Sequence, residues 1–198
     1  MSLFNMPDLR RRAGSVNRAL VEANLVRLSN SVGSFDIFLS QRQLDAEVVH
    51  VLYGDLTKMG YSVYVDWIHD RDLDRSSVNK ITADRLRRRL KDSKCLLYVS
   101  TSNSSDSKWM PWELGLKDGL SGKVAILPIA ASDVQSNSYQ GREYLSLYPY
   151  VSKGIPRGTN NEKLWIHNDE NEYVLLDNWL KGALPQRYST SFPVPKLY

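Results

Sequence analysis

The feature that most constrains the fold is a regular alternation of short apolar runs with longer stretches of helical periodicity. Four runs of β-branched, aromatic and aliphatic residues follow one another along the chain, at 35–40, 61–67, 95–100 and 124–129. Nearly continuous apolar runs of this length are typical of strands that are covered on both faces. Because strands that alternate with helices form βαβ units, the pattern predicts an α/β fold with a parallel sheet.

The stretches between and around these runs are predicted to be helices. Apolar residues recur every three or four positions over 8–29 and again over 44–59, where Gly60 follows at a typical C-cap position. A serine at 76 or 77 is a candidate N-cap for a helix that ends near Lys91. Pro111 suits the first turn of a short helix that ends near Gly119.

The chain beyond the fourth run gives weaker signals. Residues 130–160 resemble a loop, 164–167 are a candidate fifth strand at the sheet edge, and 174–180 are a candidate closing helix. The tail from Pro185 has no regular pattern. We therefore predict one α/β domain with an additional helix before the first strand.

Size and composition exclude several classes of protein. A chain of 198 residues is long enough for one well-buried domain. No apolar stretch approaches the roughly 20 residues that span a bilayer, and residues 1–12 lack the apolar centre of a secretory signal. We therefore expect a cytoplasmic protein without a membrane partner. The net charge of +4 favours anionic partners only weakly.

The common nucleotide and nucleophile motifs are missing from the sequence. No GxGxxG follows the first apolar run, and neither a GxxxxGK[ST] nor a GxSxG motif is present. The three histidines, His50, His69 and His167, do not have metal-ligand spacing. The sequence therefore predicts no metal site and no bound cofactor.

The loops at the carboxyl ends of the predicted strands are the expected ligand site, as in other open parallel sheets. In the loop after the third run, Trp109 and Trp112 flank Glu113, which would stand at the third position of a helix that starts at Pro111. The helix dipole favours an ionised carboxylate there, and the indoles offer flat surfaces for a heteroaromatic ring. A glutamate that only stabilises the helix and tryptophans that only fill the core remain the alternative.

Three segments resemble a Toll/interleukin-1 receptor (TIR) domain of the bacterial type. They are FDIFLS at 35–40, VYVDW at 63–67, and the Trp109-x-x-x-Glu113 pattern after the third run. The resemblance implies a flavodoxin-like fold with a five-stranded parallel sheet and helices on both faces. It divides the chain into an N-terminal helical extension at 1–33, a TIR-like domain at 34–184 and a tail at 185–198.

The resemblance also implies an activity. The glutamate of the Trp-x-x-x-Glu pattern is the catalytic residue of TIR-type NAD⁺ glycohydrolases, and here it is Glu113. Trp109 would shape the pocket, while Asp66 and Trp67 begin a segment that resembles the loop covering the site in this family. Further candidates for holding ribose or phosphate are Ser40, Ser100 and Asn103. NAD⁺ would be the substrate rather than a cofactor.

The sequence departs from the family after the first strand. Relatives often carry a Ser-His-Ser-like run there, whereas this chain reads Ser40-Gln41-Arg42-Gln43. The departure concerns how this loop contacts a ligand and which product forms: free ADP-ribose, a cyclic isomer or a transfer product.

The resemblance extends to partners. Bacterial TIR proteins of this kind often self-associate, and in antiphage systems such as Thoeris they make a nucleotide signal for a separate effector. One alternative is a non-catalytic TIR interaction module, in which Glu113 only caps its helix. A nucleic-acid-binding module that uses the basic segment 85–91 ranks last, because Asp84 and Asp92 interrupt the basic patch.

Overall fold

The computed structural model describes residues 1–14, 33–70, 72–73, 75–76, 78–102, 104, 107–132, 138–141 and 143–187. In these ranges a central sheet contains nine strands. They are β1 (Phe4–Asn5), β2 (Phe35–Ser40), β3 (Val63–Tyr64), β4 (Ser93–Ser100), β5 (Val124–Ala130), β6 (Tyr150–Gly154), β7 (Lys163–His167), β8 (Glu172–Leu175) and β9 (Gln186–Arg187).

Five parallel strands form the centre of this sheet in the order β3-β2-β4-β5-β6. This is the doubly wound order of flavodoxin-like proteins, so the predicted α/β fold with a parallel sheet is confirmed. An antiparallel extension, β7, β8 and β9, continues the sheet beyond β6 and makes it larger than the five strands expected.

Six α-helices lie in the described ranges: α1 (Met6–Ala13), α2 (Ala46–Lys58), α3 (Asp66–His69), α4 (Lys80–Lys91), α5 (Met110–Ser121) and α6 (Leu176–Trp179). The sheet has a buried core on each face. Leu52 of α2 packs with Leu97 in one core, and Leu86 of α4 packs with the neighbouring Leu96 in the other. Because successive strand residues point to opposite faces, one strand serves both cores.

The second predicted strand is wrong in its length. Only Val63 and Tyr64 pair with β2, although the prediction covered 61–67. The backbone amides of Ile68 and His69 both donate to the carbonyl of Val65, which turns the chain into α3. Asp66 and Trp67 therefore lie on a helical turn at the end of an edge strand. Short edge strands of this kind limit unwanted pairing with other chains.

The prediction for the chain beyond β5 is also wrong in three places. The region 130–160 contains β6, which is the fifth parallel strand, and a short 3-10 helix at Glu143–Leu147. The predicted edge strand at 164–167 is β7, which lies inside the sheet and is antiparallel to both neighbours. The predicted closing helix is shorter than expected, because its first part belongs to β8.

Two helix starts differ from the prediction. Helix α4 begins at Lys80, and its cap is Asn79, whose side chain accepts a hydrogen bond from the Thr82 amide at 2.9 Å. Helix α5 begins one residue before Pro111, so Glu113 stands at the fourth helical position rather than the third. Glu113 still belongs to the first turn of the helix.

The first fourteen residues pack against the sheet and α2. Strand β1 runs parallel to the end of β5, and the side chains of Phe4 and Leu9 are almost fully buried. Arg12 donates two hydrogen bonds, of 2.8 and 2.7 Å, to the carboxylate of Asp55 on α2. The predicted helix at 8–29 overlaps α1, and its part from residue 15 lies outside the described residues. None of the helices in the described ranges is long and apolar enough to cross a membrane.

Candidate active site

The site lies at the topological switch point of the sheet, between the carboxyl ends of β2 and β4. After β2 the chain passes outward to β3 and then returns to β4 on the other side of β2. The two helices that follow these strands diverge, which leaves a crevice above the strand ends. Ser40 ends β2, and Glu113 enters from the first turns of α5.

The start of α5 is held by several local contacts. The hydroxyl of Ser107 accepts a hydrogen bond from the Met110 amide at 3.2 Å, which satisfies one of the free amides at the helix start. The Glu113 amide donates to the Trp109 carbonyl at 2.8 Å, so Glu113 already belongs to the regular helix. These contacts fix the direction in which the carboxylate leaves the helix.

Glu113 is a fully buried carboxylate, with an exposed fraction of 0%. Its Oε2 accepts a hydrogen bond from the Ser40 hydroxyl at 2.6 Å, and its Oε1 accepts one from Arg75 Nη2 at 2.7 Å. Burial raises the pKa of Glu113 above its ordinary value, while the Arg75 guanidinium and the Ser40 hydroxyl oppose that rise. A carboxylate without water contacts is thus kept in place by one cation and one hydroxyl.

Arg75 joins two carboxylates through the two ends of its guanidinium group. Nη2 contacts Glu113, and Nη1 donates to Asp66 Oδ2 at 2.6 Å. Burial acts to lower the pKa of Arg75, but the two carboxylates outweigh it and raise that pKa above the ordinary value. The indole Nε1 of Trp109 donates to the Arg75 carbonyl at 3.1 Å, which ties the loop to the start of α5.

Gln41, the residue after Ser40, completes the cluster. Its Nε2 donates to Asp66 Oδ1 at 3.1 Å, so both oxygens of Asp66 are engaged. Gln41 is only 3% exposed. Among the described residues, no hydrogen-bond donor reaches its Oε1 atom.

A cavity of about 390 Å³ opens beside this cluster, a size suited to a small ligand. Its lining includes Gln41, Arg42, Asp66, Trp67, Arg75 and Trp109. Glu113 does not line the cavity, although Arg75 does and holds the Glu113 carboxylate. Arg75 therefore connects the wall of the cavity to the buried carboxylate.

Comparison with known proteins identifies the family. No protein-family model matches the chain. The chain is 50% identical over 147 residues to "Probable 3' cyclic ADP-D-ribose synthase ThsB'" of Bacillus cereus (strain MSX-D12). The aligned residues cover 74% of this chain and 76% of that protein. The chain belongs to the ThsB' family. A second relative, "Putative cyclic ADP-D-ribose synthase TIR2" of Cytobacillus dafuensis, is 35% identical over 81 residues, which is 40% of this chain and 21% of TIR2.

The structure of this ThsB' family member brings most of the predicted site residues together. Ser40 and Glu113 are in direct contact, and Asp66, Trp67 and Trp109 line the cavity beside them. Ser100 lies apart from this group: its hydroxyl is 3.4 Å from the Tyr139 hydroxyl, and it does not line the cavity. Asn103 falls outside the described residues.

Some expectations about the surroundings of Glu113 require correction. Trp112 does not line the cavity; it packs edge to face against Trp109 at 5.6 Å and lies under the guanidinium group of Arg87 at 5.8 Å. Only Trp109 of the two flanking tryptophans is thus available to a ligand. No sequence signal distinguishes Gln41 or Arg75 as contacts of the site, because many other polar residues occupy the same loops.

Proposed function

We propose that this protein cleaves the bond between nicotinamide and ribose in NAD⁺ and converts the ADP-ribose part into a cyclic nucleotide signal. The observation that carries the proposal is the fully buried Glu113 carboxylate at the switch point, held by Ser40 beside a ligand-sized cavity. The relative from Bacillus cereus is named as a 3' cyclic ADP-D-ribose synthase, which supports the same reaction class.

A single carboxylate is sufficient for this chemistry. Ordinary glycosidases need a second carboxyl group because the leaving oxygen must be protonated. In NAD⁺ the pyridinium nitrogen already carries a positive charge, so the bonding electron pair returns to the ring and nicotinamide leaves as a neutral molecule. Glu113 would stabilise the positive charge that develops on the ribose, either through space or by forming a covalent bond. The reaction as proposed requires no metal ion and no additional cofactor.

The residues around Glu113 would have distinct tasks. Ser40 fixes the position of Oε2, and the Trp109 and Trp67 side chains that line the cavity offer aromatic surface for the nicotinamide ring. Arg42 also lines the cavity and could contact the pyrophosphate. Arg75 would release Glu113 when substrate enters. Ser100 and Asn103 remain predicted contacts of ribose or phosphate.

The choice of product depends on which nucleophile reaches the cationic ribose. Water gives free ADP-ribose, whereas a nucleophilic atom within the same molecule gives a cyclic isomer. The relative from Bacillus cereus carries the name of a cyclic ADP-D-ribose synthase, which favours the internal nucleophile over water. We therefore propose cyclisation rather than hydrolysis as the main outcome.

The proposal includes two kinds of protein partner. The first is a second copy of this chain, because TIR-like proteins of the kind described above often act as assemblies. The second is a separate effector that senses the cyclic product during antiphage defence. Light scattering at increasing protein concentration tests the first, and activation of a candidate effector by the purified product tests the second.

The decisive experiment compares the native protein with Glu113→Gln at high protein concentration. We expect nicotinamide release from NAD⁺ by the native protein, and a fall of at least about 100-fold in the variant, because a neutral amide cannot stabilise the cationic ribose. Mass spectrometry of the products separates a cyclic isomer from ADP-ribose, which is heavier by one water molecule.

The matched control is Glu170→Gln, which makes the same chemical change at an exposed loop position. It should retain the native rate. Equal rates for the native protein and Glu113→Gln would refute the catalytic role of Glu113. Absence of nicotinamide release from the native protein, tested also in its assembled form, would instead favour a non-catalytic TIR interaction module.

A further inference from the structure

The atom that stands out beside the active site is the Oε1 oxygen of Gln41. Gln41 is 3% exposed and lines the cavity, and none of the described residues donates a hydrogen bond to this oxygen. A buried acceptor without a donor costs free energy, so such groups in folded proteins call for an explanation. A ligand in the cavity that brings a donor would provide one.

The orientation of the Gln41 side chain is determined by its neighbour. Asp66 is held by Arg75 at 2.6 Å, and its carboxylate can only accept hydrogen bonds. The amide group must therefore turn its Nε2 toward Asp66, at 3.1 Å, because the opposite orientation would bring two acceptor oxygens together. Asp66 thus fixes the orientation of the Gln41 amide, and Oε1 is the atom left without a donor.

The position of Gln41 indicates which part of the substrate it meets. Gln41 directly follows Ser40, whose hydroxyl contacts Glu113, and it is linked to Glu113 a second time through Asp66 and Arg75. The bond to be broken lies at Glu113. Near that bond NAD⁺ carries donors of two kinds, the ribose hydroxyls and the carboxamide N–H of the nicotinamide ring. Glu113 and Ser40 would meet the ribose, which leaves the carboxamide for Gln41, whereas the adenine amine lies beyond the pyrophosphate.

We propose that Gln41 is a specificity-determining residue that accepts a hydrogen bond from the nicotinamide carboxamide of NAD⁺. This inference rests on the proposed function of the site and identifies how the leaving group is recognised. It assigns a role to a position where the sequence departs from the Ser-His-Ser-like run. The cationic ring would lie near the acidic side chains of Asp66 and Glu113, with its carboxamide toward Gln41.

The test compares NAD⁺ with 3-acetylpyridine adenine dinucleotide, in which a methyl ketone replaces the carboxamide and removes only the N–H donor. Dissociation constants are measured by calorimetry in the Glu113→Gln background, where turnover does not interfere, and kcat/KM is measured with the native active site. Losing a donor to a buried acceptor should weaken binding of the analogue by roughly 10- to 100-fold relative to NAD⁺.

Gln41→Met keeps the length of the side chain but has no comparable acceptor. We expect this substitution to weaken binding of NAD⁺ alone. The dissociation constants of NAD⁺ and the analogue should then be nearly equal. Gln43→Met is the matched control, because Gln43 also lines the cavity but is exposed. It should keep the native preference. A change that only disturbs the fold would affect both dinucleotides equally and leave the ratio unchanged.

Asp66→Asn provides a second, independent variant. An asparagine can donate to Gln41 Oε1 and allow the amide to turn its Nε2 toward the cavity, so the preference for NAD⁺ should fall below the native value. Two results would overturn the inference. One is a ratio of the two dissociation constants that Gln41→Met leaves unchanged. The other is failure of both dinucleotides to bind the protein that retains Gln41. A normal binding ratio without any cleavage by the native protein would refute the proposed function while leaving the role of Gln41 supported.

Discussion

The Arg75 guanidinium contacts both buried carboxylates of the site, so Arg75→Met tests how far that cation stabilises them. The side chain of Glu113 is 0% exposed and that of Asp66 is 7% exposed, with contacts of 2.7 and 2.6 Å to Arg75. The substitution preserves most of the apolar stem of the arginine. It removes the cation from both carboxylates, which keep only the Ser40 hydroxyl and the Gln41 amide as donors.

The expected loss of stability is large at pH 8. Removing one partner of a buried ion pair typically costs about 3–5 kcal/mol, because the remaining charge is neither solvated nor paired. The control is Arg85→Met. Arg85 contacts Asp72 at the same distance of 2.7 Å, but Asp72 is 75% exposed, so water replaces the lost partner and little change in stability is expected.

The stability loss in Arg75→Met should depend on pH. Burial already raises the pKa of Glu113, and removing the opposing cation raises it further. A group whose folded pKa lies above its unfolded value contributes stability below the unfolded pKa and loses that contribution as pH rises through the folded pKa. The deficit of Arg75→Met should therefore be smaller at pH 5 than at pH 8, by about 1.4 kcal/mol for each additional pKa unit.

The assay is urea unfolding followed by tryptophan fluorescence, at pH 5 and pH 8, for the native protein and both variants. Two results would refute the reasoning. One is a deficit for Arg75→Met that is the same at both pH values. The other is a stability loss no larger than that of Arg85→Met, which would mean that the buried carboxylates become solvated or protonated at little cost in free energy.

Two further predictions concern single hydrogen bonds. Ser40→Ala removes a donor that lowers the pKa of Glu113, so the acidic limb of the kcat/KM profile should move to higher pH. Ser40→Thr retains a hydroxyl and should leave that limb unmoved. An unshifted limb in Ser40→Ala would contradict the assignment of the limb to Glu113. Burial lowers the pKa of His167 to about 4, and its Nε2 is 2.7 Å from the Ser152 hydroxyl. Its contribution to stability is therefore present above the unfolded pKa and lost as pH falls from about 6.5 toward 4, with a slope of up to about 1.4 kcal/mol per pH unit. Urea unfolding of His167→Phe should show a shallower slope over that interval, and an equal slope would exclude His167 as its source.

The strands that sequence predicted best are those whose residues are buried on both faces. The run at 35–40 coincides with β2, and the run at 124–129 falls one residue short of β5. Edge elements were harder to predict. Strand β6 lies in the region that the sequence predicts to be a loop. Only one pair of residues aligns it with β5, and its remaining partners come from β7 and the N-terminal residues. Pairing with such distant partners has no local signature.

The sequence also located the catalytic candidate without giving its surroundings. The alternation of strands and helices placed the ligand at the carboxyl ends of the strands, and the Trp109-x-x-x-Glu113 pattern selected one carboxylate there. The contacts of that carboxylate come from residues 38 and 73 positions earlier in the chain, Arg75 and Ser40. Nothing in the loop at 69–76 distinguishes Arg75 from the other charged residues around it.

The sequence by itself thus determined the fold class, the order of the central elements and the residue on which the proposed chemistry depends. The fold class and the element order follow from periodicity and from turn and helix signals, which are local. The residue follows from the resemblance of the Trp109-x-x-x-Glu113 pattern to the TIR signature. Only the tertiary structure decided that Glu113 is buried, that Arg75 pairs with it, and that Gln41 has an unsatisfied acceptor. Burial and pairing depend on which side chains, distant in sequence, come into contact above the sheet. The pKa values of the charged groups depend in turn on those contacts.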